Sequence, residues 1–101
     1  MSVKFGLIGK FTAQAGKRDA LADLLLTAAE ELKEVEGCDL YVVSISDEEP
    51  DAIWITEVWS SAEAHAQSLT MEDTQSLIAQ ARPLIAGMEH TKLQTLGGKG
   101  A

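Results

Sequence analysis

Basic residues are scarce in this sequence. Eight Lys and Arg stand against sixteen Asp and Glu, which gives a net charge of −8, and the few cations form no stripe. Binding to nucleic acid or to an anionic membrane surface depends on cations that meet phosphates. Uninterrupted apolar runs are also only a few residues long, too short to span a bilayer. We therefore predict neither a nucleic-acid partner nor a membrane partner.

Cysteine and histidine are nearly absent. Cys38 is the single cysteine, so an internal disulfide is excluded, and the first residues, "MSVKFG", read as a strand rather than as an apolar signal core. A reducing, cytoplasmic location is the prediction. Two histidines and one cysteine without ligand spacing predict no metal site. The order of residues suggests neither a Cys-His pair nor a Ser-His-Asp triad.

What is present is ordinary globular composition. The 101 residues are 46% hydrophobic and 24% charged, with no repeat and no linker. This predicts one domain over residues 1–101.

Alternation of apolar and polar residues predicts four strands. Residues 3–11 place Val3, Phe5, Leu7 and Phe11 on one face. Residues 39–46 and 52–59 form a hairpin around the acidic turn 47–51. The last strand is predicted at residues 89–96.

Helical spacing predicts the remaining elements. Residues 15–37 carry an apolar stripe and end at Gly37. Ser60 or Ser61 begins the next helix, and Ser60 with Glu63 fits a capping box. A second cap at Thr70 precedes a helix over residues 71–87, which Pro83 kinks or ends and Gly87 closes. The order β-α-β-β-α-β predicts an α+β, ferredoxin-like antiparallel sheet with its helices on one face.

The strand at residues 52–59 is apolar on both faces. Ile53, Ile55, Glu57 and Trp59 point one way, whereas Trp54 and its alternate neighbours point the other way. Helices can cover only one face of such a sheet, and an exposed face with a tryptophan would be a large apolar patch. We therefore predict a homodimer, with Trp54 at its interface.

Several motifs resemble one family. "EGC" at residues 36–38, "EVW" at 57–59, "SAEAHAQSL" at 61–69 and "ARPLIAG" at 81–87 resemble the antibiotic biosynthesis monooxygenase domain. The resemblance covers about residues 3–96 and implies a dimeric α+β barrel. The family includes oxygenases of quinols and anthrones that use no cofactor, haem-degrading enzymes and a signal-molecule isomerase. By this resemblance Trp59 lines a substrate pocket between sheet and helices.

The sequence departs from two branches of that family. The anthrone oxygenases have an Asn four residues before the tryptophan, where this chain has Ile55, and the haem-degrading branch needs an Asn on the first strand. This sequence contains no Asn. The haem ligand would fall at Leu69, and the histidine of many quinol-type members would fall at Ser68. The resemblance therefore implies no haem, and the anthrone mechanism does not carry over intact.

Five residues are predicted to form the site. His65 is the candidate general base and Glu57 the second catalytic residue, because a base with a pKa near the working pH must be a histidine or a desolvated carboxylate. Trp59, Arg82 and Ile55 are assigned to substrate binding. The alternatives are a solvated surface position or a hydrogen bond to a neighbour for His65, and a core position for Trp59. For Glu57 the alternative is a salt bridge to Arg82, Lys92 or Lys10, within the chain or across the dimer. His90 is assigned to a rim or a dimer contact.

Three functions remain open at this point. The first is a cofactor-independent monooxygenase that oxidises an aromatic quinol-like or anthrone-like compound with O2. The second is a non-catalytic dimer that binds a small molecule or serves a stress response. The third is an isomerase of a small phosphorylated ligand, which the scarcity of Lys and Arg disfavours. One fold hosts many chemistries, so the site must decide.

Overall fold

The computed structural model describes residues 3–101 and contains one four-stranded antiparallel sheet with the strand order β2-β3-β1-β4. The predicted α+β, ferredoxin-like architecture is confirmed. The elements are β1 (Lys4–Ala13), α1 (Arg18–Leu32), β2 (Cys38–Ile45), β3 (Ala52–Trp59), α2 (Ala62–Ser68), α3 (Glu72–Ala81), a 3-10 turn (Arg82–Leu84) and β4 (Ile85–Thr95).

The hydrophobic core lies between α1, α3 and the middle of the sheet. Leu21 of α1 and Ile53 of β3 are fully buried, and Ile55 is 2% exposed. Ala81 at the end of α3 joins the same cluster. Burial of these side chains is the main force that holds the helices on the sheet, since removal of apolar surface from water dominates folding. All helix contacts in this cluster fall on one face of the sheet, as predicted.

Gly37 does not end the first helix. α1 ends at Leu32, and Gly37 lies just before β2 with a φ of 96°, a backbone conformation that favours glycine. Its carbonyl accepts the N–H of Ser60 at 2.8 Å. A Cβ at this position would lie 2.9 Å from the Cβ of Ala64. The glycine therefore permits both the turn into β2 and the close approach of α2.

The region predicted as a capped second helix consists of two short helices and a turn. Ser61 caps α2 and accepts the N–H of Ala64 at 3.0 Å, so the predicted capping box of Ser60 with Glu63 is wrong. Thr70 does not cap α3. Its hydroxyl instead donates to the carbonyl of Gln67 at 2.7 Å, which closes the end of α2.

The end of α3 also differs from the prediction. The helix stops at Ala81 and tightens into the 3-10 turn that contains Pro83, because proline lacks an N–H and its ring clashes with the preceding turn. β4 then begins at Ile85, four residues earlier than predicted. Gly87 is part of this strand, opposite Thr12, and does not close a helix.

The second face of the sheet, which we call the uncovered face, has no helix over it in the described part of the chain. It exposes Ile8, Val42 and Leu93, each at least 40% accessible. Trp54 lies on this face, half-buried beneath the ammonium of Lys10, which is 5.5 Å from the ring centroid. Within residues 3–101, the helices are all too short or too polar to cross a membrane.

Candidate functional site

A cavity of about 520 Å³ lies on the helix-covered face, between α2 and the β1–β4 side of the sheet. This is an ordinary size for a small-molecule site. The walls are mostly apolar, with a few polar groups that converge on the space. The lining includes Phe5, Leu7, Phe11, Ile55 and Met88 among the apolar residues, and Glu57, His65, His90 and Lys92 among the polar ones.

Small residues keep this space open. α2 has only seven residues and presents Ala62 and Ala66 to the cavity, whereas the longer α1 packs mainly over β2 and α3 packs beside α1. Gly9 of β1 forms part of the floor, and a Cβ added there would meet only the carbonyl oxygen of Glu89, at 3.8 Å. Glycine weakens a strand interior, so its presence here fits a place where a ligand approaches the backbone.

Glu57 is held by the neighbouring tryptophan. Trp59 Nε1 donates to Glu57 Oε1 at 2.9 Å, a distance typical of a strong hydrogen bond to a carboxyl oxygen. The two residues alternate on β3 and share the helix-covered face, as predicted. Trp59 is only 1% exposed and belongs to the core. It therefore orients Glu57 and does not form the exposed cavity wall that the family resemblance implied.

The side chain of His65 projects from α2 and packs between two aromatic rings. Its ring lies 5.2 Å from that of Phe5, in a tilted stack, and 5.4 Å from that of Trp59, edge to face. His65 Nε2 is 3.8 Å from Glu57 Oε1, too far for a direct hydrogen bond. The histidine is thus a half-buried member of the cavity wall, and the alternative of a surface histidine is wrong.

The environment favours the neutral forms of both groups. Burial raises the pKa of Glu57, an effect that the hydrogen bond from Trp59 partly offsets. Burial, together with the positive charge of Lys92, lowers the pKa of His65. Because burial penalises charge on both partners, it disfavours the ion pair between them. A neutral imidazole can accept a proton, which is what a general base requires.

The alternative salt bridges of Glu57 do not form within one chain. Lys10 pairs with Glu49 at 2.8 Å, on the far side of the sheet. Within residues 3–101, Glu57 forms no salt bridge to Arg82, Lys92 or Lys10, and His65 is the basic group that lies within 4 Å of it.

Two of the predicted substrate-binding residues have different outcomes. Ile55 lines the cavity, as predicted. Arg82 is exposed at the start of the 3-10 turn and is not among the lining residues. The earlier end of α3 explains its position, since the chain turns away there toward β4.

Eleven of the fourteen residues that line the cavity were not among the predicted site residues. Phe5 and Leu7 were assigned to one face of the first strand. The alternation of apolar and polar residues does not show which half of that face the helices cover. His90 and Lys92 face the cavity because β4 pairs Lys92 with Leu7 and His90 with Gly9. Alternation from Met88 onward is the signal that could have found them. The prediction began the strand at residue 89 and gave it no register.

Cys38 and Tyr41 adjoin Glu57 on β2 but are poor candidates for chemistry. Burial, followed by the nearby Glu57 carboxyl, raises the pKa of both groups. A thiol with a raised pKa is a weak nucleophile. Among the described residues, no three or more His, Cys, Asp and Glu side chains come together in a way that could hold a metal ion.

Most of the chain matches the model of a known protein family. The family model of the antibiotic biosynthesis monooxygenases matches residues 4–80. The chain belongs to the antibiotic biosynthesis monooxygenase family. The match spans β1 to α3, and therefore includes Glu57, Trp59 and His65 but not the cavity residues of β4.

Solved structures of the same fold agree with this assignment. A candidate antibiotic biosynthesis monooxygenase from Chloroflexus aurantiacus J-10-fl is 47% identical, with a TM-score of 0.87 over 94% of this chain and 95% of that one. A candidate from Deinococcus radiodurans is 24% identical, with a TM-score of 0.82 over 93% and 94% of the two chains. At that identity the likeness shows the fold alone. Among curated proteins, none matches the chain.

Proposed function

We propose that this protein is a cofactor-independent monooxygenase that oxidises an aromatic, quinol-like or anthrone-like small molecule with O2. The observation that carries the proposal is the neutral imidazole of His65 in the wall of an apolar cavity large enough for a fused-ring compound. Family membership and the name of the Chloroflexus relative, a candidate antibiotic biosynthesis monooxygenase, support the same reaction class.

The chemistry needs a base and a dry, apolar space. His65 Nε2 removes a proton from the hydroxyl of a hydroquinone or from the CH2 group of an anthrone. The resulting anion gives electrons to O2, a carbon–oxygen bond forms, and the proton returned from His65 completes a hydroperoxide. Loss of water from the hydroperoxide leaves a carbonyl group. One oxygen atom of O2 stays in the product, the other leaves as water, and the substrate supplies all four electrons.

The surrounding residues orient the base, stabilise the anion and contact the ring of the substrate. Phe5 and Trp59 fix the imidazole ring, so that Nε2 faces the cavity side occupied by Glu57. Glu57, held by Trp59, has an oxygen beside the imidazole, and burial favours its protonated form, which can donate a hydrogen bond to a developing oxyanion. Leu7 and Ile55 supply the apolar surface for the ring.

Oxygen uptake tests this proposal directly. Purified protein, treated with a chelator and supplied with neither flavin nor nicotinamide, should accelerate O2 consumption with a hydroquinone or an anthrone. With ¹⁸O2, one labelled atom should appear in the product and one in water. A broad panel of quinols that gives no uptake above the uncatalysed rate, while ring compounds still bind, would leave a non-catalytic binding protein as the function.

We also propose that the protein is a homodimer joined through the uncovered face. Ile8, Val42 and Leu93 are exposed there around Trp54, and a second copy would bury them. Sedimentation should give twice the mass of one chain at micromolar concentration. Trp54→Asp should dissociate the dimer, whereas Ala79→Asp, on the exposed surface of α3, should not. A wild-type monomer of normal stability would rule the dimer out.

A further inference from the structure

The cavity has a charged end that the proposed base does not use. Lys92 and His90 lie on β4 and face the same space as Glu57 and His65, on the far side of Leu7. In the described residues Lys92, like Lys17 and Lys99, forms no ion pair within 4 Å. Lys92 differs from these two lysines because it lines the cavity.

The acids near this end do not neutralise Lys92. Glu89, three residues before Lys92 on β4, is among the lining residues, but alternation places its side chain on the uncovered face, opposite Lys10. Its backbone carbonyl approaches the floor of the cavity at Gly9. Glu57 is the single carboxyl group that faces the cavity from β3, and burial favours its neutral form.

The pairing of β1 with β3 and β4 sets the distance between the two ends of the cavity. Lys92 lies directly opposite Leu7, and Leu7 lies directly opposite Glu57. Strands are about 4.8 Å apart, so the backbones at Lys92 and Glu57 are separated by roughly 10 Å across the floor. A ring system placed over Leu7 and Gly9 would therefore have one edge at His65 and Glu57 and the other at Lys92.

We propose that the substrate is an aromatic compound that carries a carboxylate, which Lys92 binds while the reacting hydroxyl or CH2 group lies at His65. His90, on the same face of β4 as Lys92, can donate a ring N–H to the same carboxylate. The position of the reacting group rests on the proposed function, whereas the binding of the carboxylate does not. An ammonium that meets a carboxylate at the edge of an apolar site provides selectivity for anionic ligands.

Equilibrium binding of two unreactive probes tests this inference. Naphthalene-2-carboxylate and naphthalene-2-carboxamide have nearly the same shape and differ in charge. In the wild-type protein at low ionic strength, calorimetry should show roughly 5–10-fold tighter binding of the carboxylate. The preference should shrink at about 0.5 M salt, because salt screens a partly exposed charge pair.

Lysine variants assign the preference to one residue. Lys92→Met should weaken binding of the carboxylate more than binding of the carboxamide and so remove the preference, and Lys92→Arg should retain it. Lys33→Met is the matched control, since it makes the same change of net charge at the exposed end of α1. The inference is overturned if neither probe binds, if the two bind equally to the wild type, or if Lys92→Met weakens both alike.

The outcome is separable from that of the proposed function, because the binding assay requires no turnover. Oxygen uptake with neutral quinols and no charge preference would reject only the carboxylate. A charge preference without oxygen uptake would reject only the oxygenase.

Discussion

The helix-covered face of the sheet has two halves that are built in different ways. The closed half, β2 and β3 beneath α1, is filled by branched aliphatic side chains such as Leu21 and Ile53, which are fully buried. The open half, β1 and β4 beside α2, has alanines on a seven-residue helix and a glycine in the floor. The closed half supplies stability, and the open half leaves space that a ligand can fill. Glu57 and Trp59 lie on the border between the two halves. There the closed half can position the side chains that face the cavity in the open half.

The largest expected effect separates the two halves by stability. Leu21→Ala should lower the free energy of unfolding by about 2–5 kcal/mol, because a fully enclosed side chain leaves a cavity behind. Leu7→Ala, a half-buried residue that already borders open space, should cost less than about 2 kcal/mol. Urea denaturation of both variants measures the difference. Equal costs would mean that the two halves are packed alike.

Removal of the base should have its main effect on activity instead. His65→Ala should reduce the rate of oxygen uptake by roughly 10²-fold or more, the size expected for a lost general base. Added imidazole should restore part of the rate, since the variant leaves a space of that shape between Phe5 and Trp59. Circular dichroism should confirm that the fold is retained. An unchanged rate would remove His65 from the mechanism.

The pH dependence of the activity should show the effect of the Lys92 charge in the open half. The pKa of His65 is lowered from its ordinary value of 6.5, so activity should rise with pH and level off before neutrality. Since the charge of Lys92 contributes to that shift, Lys92→Met should move the rising limb to higher pH, and Lys33→Met should not. The same ordering should appear when the imidazole protons of His65 are titrated by NMR. If the pH profile of Lys92→Met rises at the same pH as that of the wild type, the charge of Lys92 does not act on His65.

A smaller effect concerns the border residue Glu57. Its pKa is raised on folding, so its contribution to stability is present at pH values below its ordinary value of 4.5 and is lost as the pH rises through the folded pKa. Glu57→Gln keeps an oxygen that accepts from Trp59 but cannot ionise. The variant should be about 0.5–1 kcal/mol more stable than the wild type at pH 8 and no more stable at pH 4.

Denaturation at several pH values measures this difference. Glu31→Gln, an exposed change on α1 with the same loss of charge, is the control for net charge. A gain of the same size in Glu31→Gln would show that overall charge, and not burial, is responsible.

The sequence predicted the closed half better than the open one. Strong periodicity in α1 and β3 specified the order of elements, the antiparallel sheet and the shared face of Glu57 and Trp59, because long apolar patterns match one face only. His65 and Ile55 were also assigned to the cavity. The function as an oxygenase, the homodimer, the cytoplasmic location and the single domain remain predictions.

The failures lie where local patterns compete with tertiary contacts. Pro83 was predicted to kink or end the helix, and the helix ends just before it, but Gly87 and Arg82 were misplaced because the helical spacing continues past the proline. Trp59 was expected to contact substrate, but the depth of a side chain depends on which helix covers it. Lys92 was missed because its position requires the pairing of β4 with β1, a contact between the two ends of the chain.

Gly37 links the chain upstream of β2 to the chemistry at His65. A methyl group at this position would lie 2.9 Å from the Cβ of Ala64, the residue next to His65 on α2. Helix α2 would have to move away from the sheet to make room, and the imidazole would move with it. The glycine in the "EGC" motif therefore sets the height of the proposed base above the cavity floor. A position without a side chain, outside the cavity and in a different loop, thus controls the distance over which a proton would be transferred.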